Sequence, residues 1–175
     1  MKKRWIITML ILLVGTPVRS TTLFNKSYAV VIGISRYQNS GIWKTLDNAE
    51  NDARAMSDFF TGQGFEVKSF IGAEARKYSI TSYLEDTLAL KLGQNDRFVF
   101  YFSGHGNTRR VGGRDRGYLI PYDGDIEKSS TWIDMKQLQD LADKLGNARH
   151  QLFILDSCFG GLFATKGSPT IMARP

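Results

Sequence analysis

The sequence predicts an α/β domain with a mainly parallel sheet and helices on both faces. Four apolar runs have strand character, and none alternates cleanly between apolar and polar residues, as expected of strands buried on both faces. These runs are 28–33, 65–70, 97–103 and 151–156. Amphipathic stretches lie between them, and such alternation of strands and helices is typical of parallel sheets with right-handed crossovers.

The stretches between these runs have helical spacing. Apolar side chains recur at intervals of three and four residues, and a glycine follows each stretch, as at the end of many helices. The predicted helices are 48–61, 79–92 and 134–145, followed by Gly62, Gly93 and Gly146. The segment 104–131 lacks this spacing and contains six of the 17 glycines. We interpret it as a long irregular excursion after the third strand, with a short strand at 117–120.

The amino terminus has the composition of a secretory signal peptide. Three basic residues precede an apolar run at 5–14, and the small residues Val18 and Ser20 suit cleavage after Ser20. The apolar run is shorter than the roughly 20 residues that a membrane-spanning helix needs, although an uncleaved anchor is the alternative. We therefore expect a periplasmic or secreted protein with no membrane contact once residues 1–20 are removed.

Charge and cysteine content disfavour several classes of protein. Residues 1–20 hold four basic residues and no acidic one, so their removal lowers the formal net charge from +6 to +2. The arginine cluster at 109–116 lacks the interleaved aromatic residues of a nucleic-acid surface, which disfavours nucleic acid as a partner. The chain has 175 residues, of which 42 % are hydrophobic and one is cysteine, so we predict one domain without an internal disulfide.

Two short motifs follow the third and fourth strands, at the ends where α/β sheets bind ligands. The third strand leads into SGHG (103–106), and the fourth leads into DSC (156–158). If the two strands are neighbours, His105 and Cys158 leave the same edge of the sheet. An imidazole beside a thiol can take its proton and create a thiolate nucleophile, and backbone N–H groups near His105 and at Cys158 can bind an oxyanion.

Each of these residues also has a structural interpretation. A lone cysteine at the end of an apolar strand is commonly a small buried hydrophobic residue, and a histidine between glycines is commonly part of a turn. Metal ligation is poorly supported, because one cysteine and two histidines, with His150 beginning a strand, form no ligand cluster. The occurrence of both motifs at strand ends, histidine before cysteine, favours catalysis.

Four blocks of the sequence together resemble the caspase-like cysteine peptidases, and most closely their metacaspase and orthocaspase branch. The blocks are YAVVIGI (28–34), LDNAENDA (46–53), FVFYFSGHG (98–106) and DSCFGG (156–161). They occur in the family order and cover essentially all of residues 28–163. The resemblance implies a three-layer caspase–hemoglobinase-like sandwich. It also implies that His105 is the general base, Cys158 the nucleophile, and the N–H groups of Gly106 and Cys158 the oxyanion hole.

The resemblance also implies which residue is preferred before the scissile bond. In metacaspase-like enzymes this pocket is lined by an Asp before the nucleophile, the Asp of an Asn-Asp-Ala block and the Ser of the histidine motif. The matching residues are Asp156, Asp52 and Ser103. Such a pocket should bind Arg or Lys, because a buried carboxylate without a cationic partner is costly and Arg pairs with it bidentately. The alternatives are a solvated helix-face acid for Asp52 and a loop cap for Asp156.

The predicted organisation has four parts. They are a signal peptide at 1–20, a lead-in at 21–27, a large-subunit catalytic domain at 28–163, and a flexible tail or truncated linker at 164–175. The predicted chemistry requires no cofactor. Calcium dependence, common in metacaspases, stays open here: Asp123, Asp125 and Glu127 could supply oxygen ligands, but Lys128 stands where an EF-hand loop has glycine.

We expect a cysteine endopeptidase that cleaves proteins or peptides after Arg or Lys. Caspase-like peptidases complete the substrate groove with a small-subunit segment after the cysteine, so we also expect a small-subunit partner or a homodimer. The last strand would otherwise be an unpaired sheet edge. Two alternatives stay open: a large-subunit fragment that is inactive without its small subunit, and a non-catalytic caspase-like binding or scaffold module.

Overall fold

A computed structural model of the protein describes residues 23–157 and 170–174. The strands are β1 (Ser27–Gly33), β2 (Glu66–Ile71), β3 (Arg97–Ser103), β4 (Gly106–Val111), β5 (Arg114–Leu119), β6 (Ile133–Asp134), β7 (His150–Asp156) and β8 (Thr170–Arg174). The helices are α1 (Ala49–Gly62), α2 (Lys77–Ser82), α3 (Ala89–Lys91) and α4 (Met135–Lys144). A π-helical stretch at Tyr83–Leu88 joins α2 to α3, and short 3-10 turns lie at Gly72–Glu74 and Ser129–Thr131.

Five of the strands form one sheet in the order β2–β1–β3–β7–β8. β1, β2, β3 and β7 run parallel, and their register places Gly33 beside Ser103 and Ser103 beside Asp156. The four strands predicted from the apolar runs are confirmed, with ends that differ by at most one residue. The carboxyl ends of β1, β3 and β7 therefore meet at one edge of the sheet.

Helices cover both faces of this sheet, which confirms the three-layer fold. On one face α1 lies very close to β1, since a Cβ at Gly33 would stand 2.4 Å from the Cβ of Ala53. Ala53 is buried there with Val31 and Tyr101. On the other face the three phenylalanines of β3 pack in one cluster with side chains of α2, the π-helical stretch and α4. The predicted helix at 79–92 corresponds to the continuous helical segment from α2 to α3.

The segment 104–131 is more regular than the sequence predicts, although the short strand expected at 117–120 overlaps β5. β4 and β5 form an antiparallel hairpin, and β6 adds a third strand to it. Its turn is Gly112-Gly113, whose φ angles are 57° and 78°. Two consecutive residues with positive φ are what a two-residue type I′ turn requires, and this turn suits the twist of the strands. The polar, arginine-rich composition of the hairpin conceals this signal.

The expectation of a flexible tail or truncated linker at 164–175 is corrected for residues 170–174. These residues form β8, which pairs antiparallel with β7, with Leu152 opposite Ala173. β7 is therefore not the unpaired edge that we expected. Residues 158–169 and 175 lie outside the described residues, as does the predicted domain boundary at 163.

The predicted signal peptide at 1–20 also lies outside the described residues. The described chain starts at Leu23, and the N–H of Lys26 donates to Asp96 Oδ1 at 2.9 Å, which ties the end of the lead-in to the start of β3. Across residues 23–157 and 170–174, no helix has the length and apolar character needed to cross a membrane.

Candidate active site

The candidate site lies at the edge where β1, β3 and β7 end. β3 and β7 are neighbours, with Ser103 directly beside Asp156. The two motifs therefore begin at the same edge of the sheet, as expected if these strands were adjacent. The Gly104 N–H donates to the Asp156 carbonyl at 3.3 Å and continues the pairing past the strand ends. Cys158 lies outside the described residues, one position beyond Ser157. β7, which precedes Cys158 in the sequence, ends beside β3, which precedes His105.

The His105 imidazole is held by a backbone carbonyl. Its Nε2 lies 2.7 Å from the carbonyl oxygen of Lys44, in the connection between β1 and α1. Because a carbonyl oxygen can only accept a hydrogen bond, Nε2 must carry the proton in this contact. A neutral imidazole in this arrangement has the lone pair on Nδ1, which is then the atom able to accept a proton.

Two aromatic residues of the same connection surround His105. The ring of Tyr37 lies 5.1 Å from the imidazole and that of Trp43 lies 5.6 Å from it. The Tyr37 hydroxyl accepts the His105 N–H at 2.6 Å. Burial raises the pKa of Tyr37 well above its ordinary value, opposed by the hydrogen bond from His105, so the phenol stays protonated at physiological pH. Trp43 Nε1 donates to the Gly124 carbonyl at 2.9 Å and anchors the connection.

The N–H of Gly106 points away from the hairpin. Gly106 stands opposite Leu119, and the N–H of Ile120 donates to the His105 carbonyl at 2.9 Å. This pattern makes Gly106 and Leu119 a non-hydrogen-bonded pair, whose N–H groups face outward from the ladder. β4 ends the order of the three-stranded sheet, so this N–H faces a side where no other described strand lies.

Three of the predicted pocket residues lie around Tyr101. Ser103 Oγ donates to Asp156 Oδ2 at 3.2 Å. Burial raises the pKa of Tyr101 above its ordinary value, and the negative charges of Asp156 and Asp52 raise it further, while hydrogen bonding to Ser103 lowers it. The charges of Asp52 on α1 and Asp156 on β7 therefore act on the same phenol. Both carboxylates are exposed, and within residues 23–157 neither has a cation at ion-pair distance.

The acidic residues considered for calcium have other contacts. Asp123 Oδ1 accepts the Lys77 N–H at 2.9 Å, and Asp125 Oδ1 accepts the Glu127 N–H at 3.0 Å. Among the residues that the structure describes, no three or more His, Cys, Asp or Glu side chains are grouped as a metal site requires. Calcium dependence stays a prediction.

Three of the four hairpin arginines have partners in or next to their own sheet, among them Arg110, which forms an ion pair of 3.9 Å with Asp115. Arg109 donates to the Ile126 carbonyl at 2.9 Å, and its guanidinium lies 4.9 Å from the ring of Trp132. Arg116 forms an ion pair of 3.1 Å with Asp134. These contacts give three of the four arginines a role in packing the hairpin.

Sequence reasoning missed four contributors to the site: Tyr37, Trp43, Lys44 and Tyr101. Tyr37 and Trp43 could have been noticed as the two aromatic residues of the connection at 34–48. Tyr101 precedes Ser103 by two residues, so the strand period places both on one face. Lys44 contributes only its backbone carbonyl, which leaves no mark in the sequence.

Comparisons with known proteins identify the family of this fold. The caspase-domain family model matches residues 26–173. A probable protease from a Desulfuromonadales bacterium is 26 % identical over 155 residues, covering 76 % of this chain and 18 % of that protein. A crystal structure of a Geobacter sulfurreducens protein has a TM-score of 0.67 at 23 % identity, over 78 % of this chain and 51 % of that chain.

The three findings differ in what they establish. The chain spans about a fifth of the first relative and about half of the second. At 23 % identity the likeness to the solved structure concerns the fold alone. The family model, by contrast, matches residues 26–173, which is most of the sequence and includes both strand-end motifs. The chain therefore belongs to the caspase-domain family of cysteine peptidases.

Proposed function

We propose that this protein is a metacaspase-like cysteine endopeptidase that cleaves after Arg or Lys, with Cys158 as the nucleophile and His105 as the general base. The observation that carries the specificity is the arrangement of Asp52, Ser103 and Asp156 around Tyr101. The Asp156 carboxylate lies at the sheet edge where β3 ends, Asp52 on α1 acts on the same tyrosine, and neither carboxylate has a cationic partner among the described residues.

The reaction begins with proton transfer from the Cys158 thiol to Nδ1 of His105. The thiolate attacks the scissile carbonyl carbon, and the N–H groups of Gly106 and Cys158 receive the oxyanion. The tetrahedral intermediate collapses as the C–N bond breaks, and the imidazolium returns the proton to the leaving amine. Water, deprotonated by His105, then hydrolyses the thioester and restores the thiol. Throughout, the Lys44 carbonyl retains the Nε2 proton and orients the ring.

The acidic pocket selects the side chain before the cleaved bond. A guanidinium or ammonium group entering between Asp52 and Asp156 forms charge-assisted hydrogen bonds, each contributing on the order of 1.5–3 kcal/mol. A substrate Asp would instead place a third carboxylate beside them, and like charges in one site repel. The preference for basic over acidic substrates is therefore a direct consequence of charge.

The proposal includes the protein's location and partners. The signal peptide directs the chain to the periplasm or the exterior, where its protein substrates are met. A small-subunit segment or a second copy completes the substrate groove. This part is supported by β8, which ends the order of the five-stranded sheet and has an edge not paired with any other described strand.

Hydrolysis of fluorogenic peptides with Arg, Lys or Asp before the cleaved bond tests the proposal, with calcium or a chelator present. We expect turnover of the Arg and Lys peptides, none of the Asp peptide, and loss of turnover in Cys158→Ala. Asp52→Asn should weaken turnover of the Arg peptide, whereas Asp58→Asn, an exposed acid on the same helix, should not. Absence of all turnover, together with no labelling of Cys158 by an Arg-directed electrophile, would contradict the proposal.

A further inference from the structure

We propose that Tyr37 is a positioning residue of this site, which orients the His105 backbone and thereby makes Gly106 the oxyanion donor. The inference rests on the proposed function and adds a residue to it. Tyr37 lies in the connection 34–48 between β1 and α1, far along the chain from both strand-end motifs.

The first observation is that Tyr37 contacts His105 through both its hydroxyl and its ring. The Tyr37 side chain is 3 % exposed, so its position is set by packing. Its hydroxyl accepts the His105 N–H at 2.6 Å, and its ring stands 5.1 Å from the imidazole, tilted by 39°. One side chain thus contacts both the backbone and the ring of the residue proposed as general base.

The second support comes from Gly104. A Cβ built on Gly104 would lie 2.9 Å from the Tyr37 hydroxyl and 2.9 Å from the Phe102 ring. Real Cβ atoms do not approach other atoms so closely, so any larger residue would displace Tyr37 or Phe102. The glycine before His105 therefore provides the space that the Tyr37 hydroxyl occupies.

The third observation concerns the two backbone N–H groups of His105 and Gly106. His105 and Gly106 offer two consecutive N–H groups near the candidate site, and Tyr37 takes the first. The second, on Gly106, faces outward on the side of β4 where no other described strand lies, because its pair with Leu119 is not hydrogen-bonded. Removing the Tyr37 hydroxyl would free the His105 N–H and let this peptide rotate.

The connection 34–48 also acts as one unit. Lys44, seven residues after Tyr37, supplies the carbonyl that binds Nε2 of His105 at 2.7 Å. The Gln38 N–H donates to the Tyr122 carbonyl at 2.9 Å and secures the connection next to Tyr37. Backbone and imidazole of His105 are therefore held by the same connection, and a disturbance at Tyr37 reaches both.

Tyr37→Phe tests the proposal, because it removes the hydroxyl and keeps the ring. The matched control is Tyr28→Phe, an equally buried tyrosine on β1. We expect kcat to fall about 10- to 100-fold with KM and the Arg-to-Lys preference unchanged, as for a misplaced catalytic group. Thermal unfolding of each variant shows whether it is folded at the assay temperature. Gly104→Ala, which crowds the hydroxyl from the other side, should produce the same pattern if Tyr37→Phe does not fold.

A second measurement does not depend on peptidase activity. Cys158 is the only cysteine, so its alkylation by iodoacetamide reports directly on how far His105 activates the thiol. We expect Tyr37→Phe to slow alkylation toward the rate of His105→Ala, and Tyr28→Phe to match the unmodified protein. A Tyr37→Phe rate within twofold of the unmodified protein overturns the proposal, as does an unmodified rate equal to that of His105→Ala. If alkylation shows the expected pattern but no peptide is cleaved, the proposed function and the oxyanion role of Gly106 fail, and the positioning of His105 by Tyr37 stands.

Discussion

Both ends of the five-stranded sheet carry aspartate and histidine side chains, but the contacts of these side chains differ between the two ends. At the amino-terminal end of β3, Asp96 is 4 % exposed, and its two oxygens accept the N–H groups of Lys26 and Gly93 at 2.9 and 2.8 Å. The guanidinium of Arg97 lies 4.9 Å from the ring of Phe24 and 4.4 Å from that of Phe65. Each of these charged groups has its partners within the fold, so this end of the sheet is structural.

At the carboxyl-terminal end, the charged side chains can accept further hydrogen bonds beyond those that the described residues provide. Asp156 is exposed, and among the described residues its carboxylate accepts one hydrogen bond, from Ser103 at 3.2 Å. The two histidines differ in another way: His150 is exposed and meets Phe24 edge-on at 5.3 Å, whereas His105 is half-buried and the Lys44 carbonyl holds its Nε2, which orients the ring. The difference teaches that a site is marked by polar groups whose partners are missing from the fold, since those groups are available to a ligand.

The largest effect expected from this contrast concerns the two histidines. His105→Ala should lower kcat/KM for an Arg peptide by about 10²- to 10⁴-fold, the usual contribution of a general base, and His150→Ala should leave it unchanged. Steady-state kinetics on both variants, beside their unfolding curves, measures this. Equal losses in the two variants would remove the distinction between the two ends.

The next effect concerns the carboxylate of Asp156. Asp156→Asn keeps the shape of the side chain and removes its charge, so kcat/KM for Arg peptides should fall about 100-fold, equivalent to about 3 kcal/mol of lost charged hydrogen bonding. The denaturation midpoint should not move, because Asp156 is exposed and holds no ion pair within the described residues. A loss of stability as large as the loss of activity would show that Asp156 is structural after all.

Asp96→Asn should do the reverse. The amide has one acceptor oxygen, so one of the two N–H groups at Lys26 and Gly93 loses its partner inside the protein. We expect the free energy of unfolding to fall by about 1–3 kcal/mol in urea titrations, while kcat/KM per folded molecule is retained. Undiminished stability would mean that the amino-terminal end is less tightly organised than its hydrogen bonds indicate.

The smallest effect concerns alkaline pH. Burial raises the pKa of both Tyr37 and Tyr101 above the ordinary value of 10.0. In the unfolded chain these phenols ionise near that value while the folded protein keeps them neutral, so stability is complete below pH 10 and falls as the pH rises above it. Urea unfolding at pH 8 and above pH 10 measures the loss, which should be smaller in Tyr37→Phe. An equal loss in that variant would assign the effect to other groups.

Much of the fold could be predicted because its signals are local. The apolar runs of β1, β2, β3 and β7 identify buried parallel strands, since such strands must be apolar on both faces. The β4–β5 hairpin was missed, because its strands are polar and its Gly112-Gly113 turn lies in a segment whose composition is that of a loop. β8 was missed because it is only five residues long and lies between Pro169 and Pro175, in a segment whose glycines and prolines are typical of a loose tail.

The candidate site divides in the same way. The types of the reactive residues and their places at strand ends were evident from the sequence, since the motifs at 103–106 and 156–158 directly follow apolar strands. The sequence by itself thus determined the α/β fold class, the family resemblance and the candidate residues His105 and Cys158. It did so because strand burial and motif chemistry are properties of short stretches of chain.

Only the tertiary structure decided what surrounds these residues. The pairing of Ser103 with Asp156 depends on the register of β3 and β7, and the influence of Asp52 on Tyr101 depends on how α1 packs. Tyr37 reaches His105 across 68 positions of chain, and Lys44 binds it through a carbonyl that every residue possesses. Contacts of this kind have no sequence signature, because they arise from the spatial meeting of distant segments and, for Lys44, from the backbone alone.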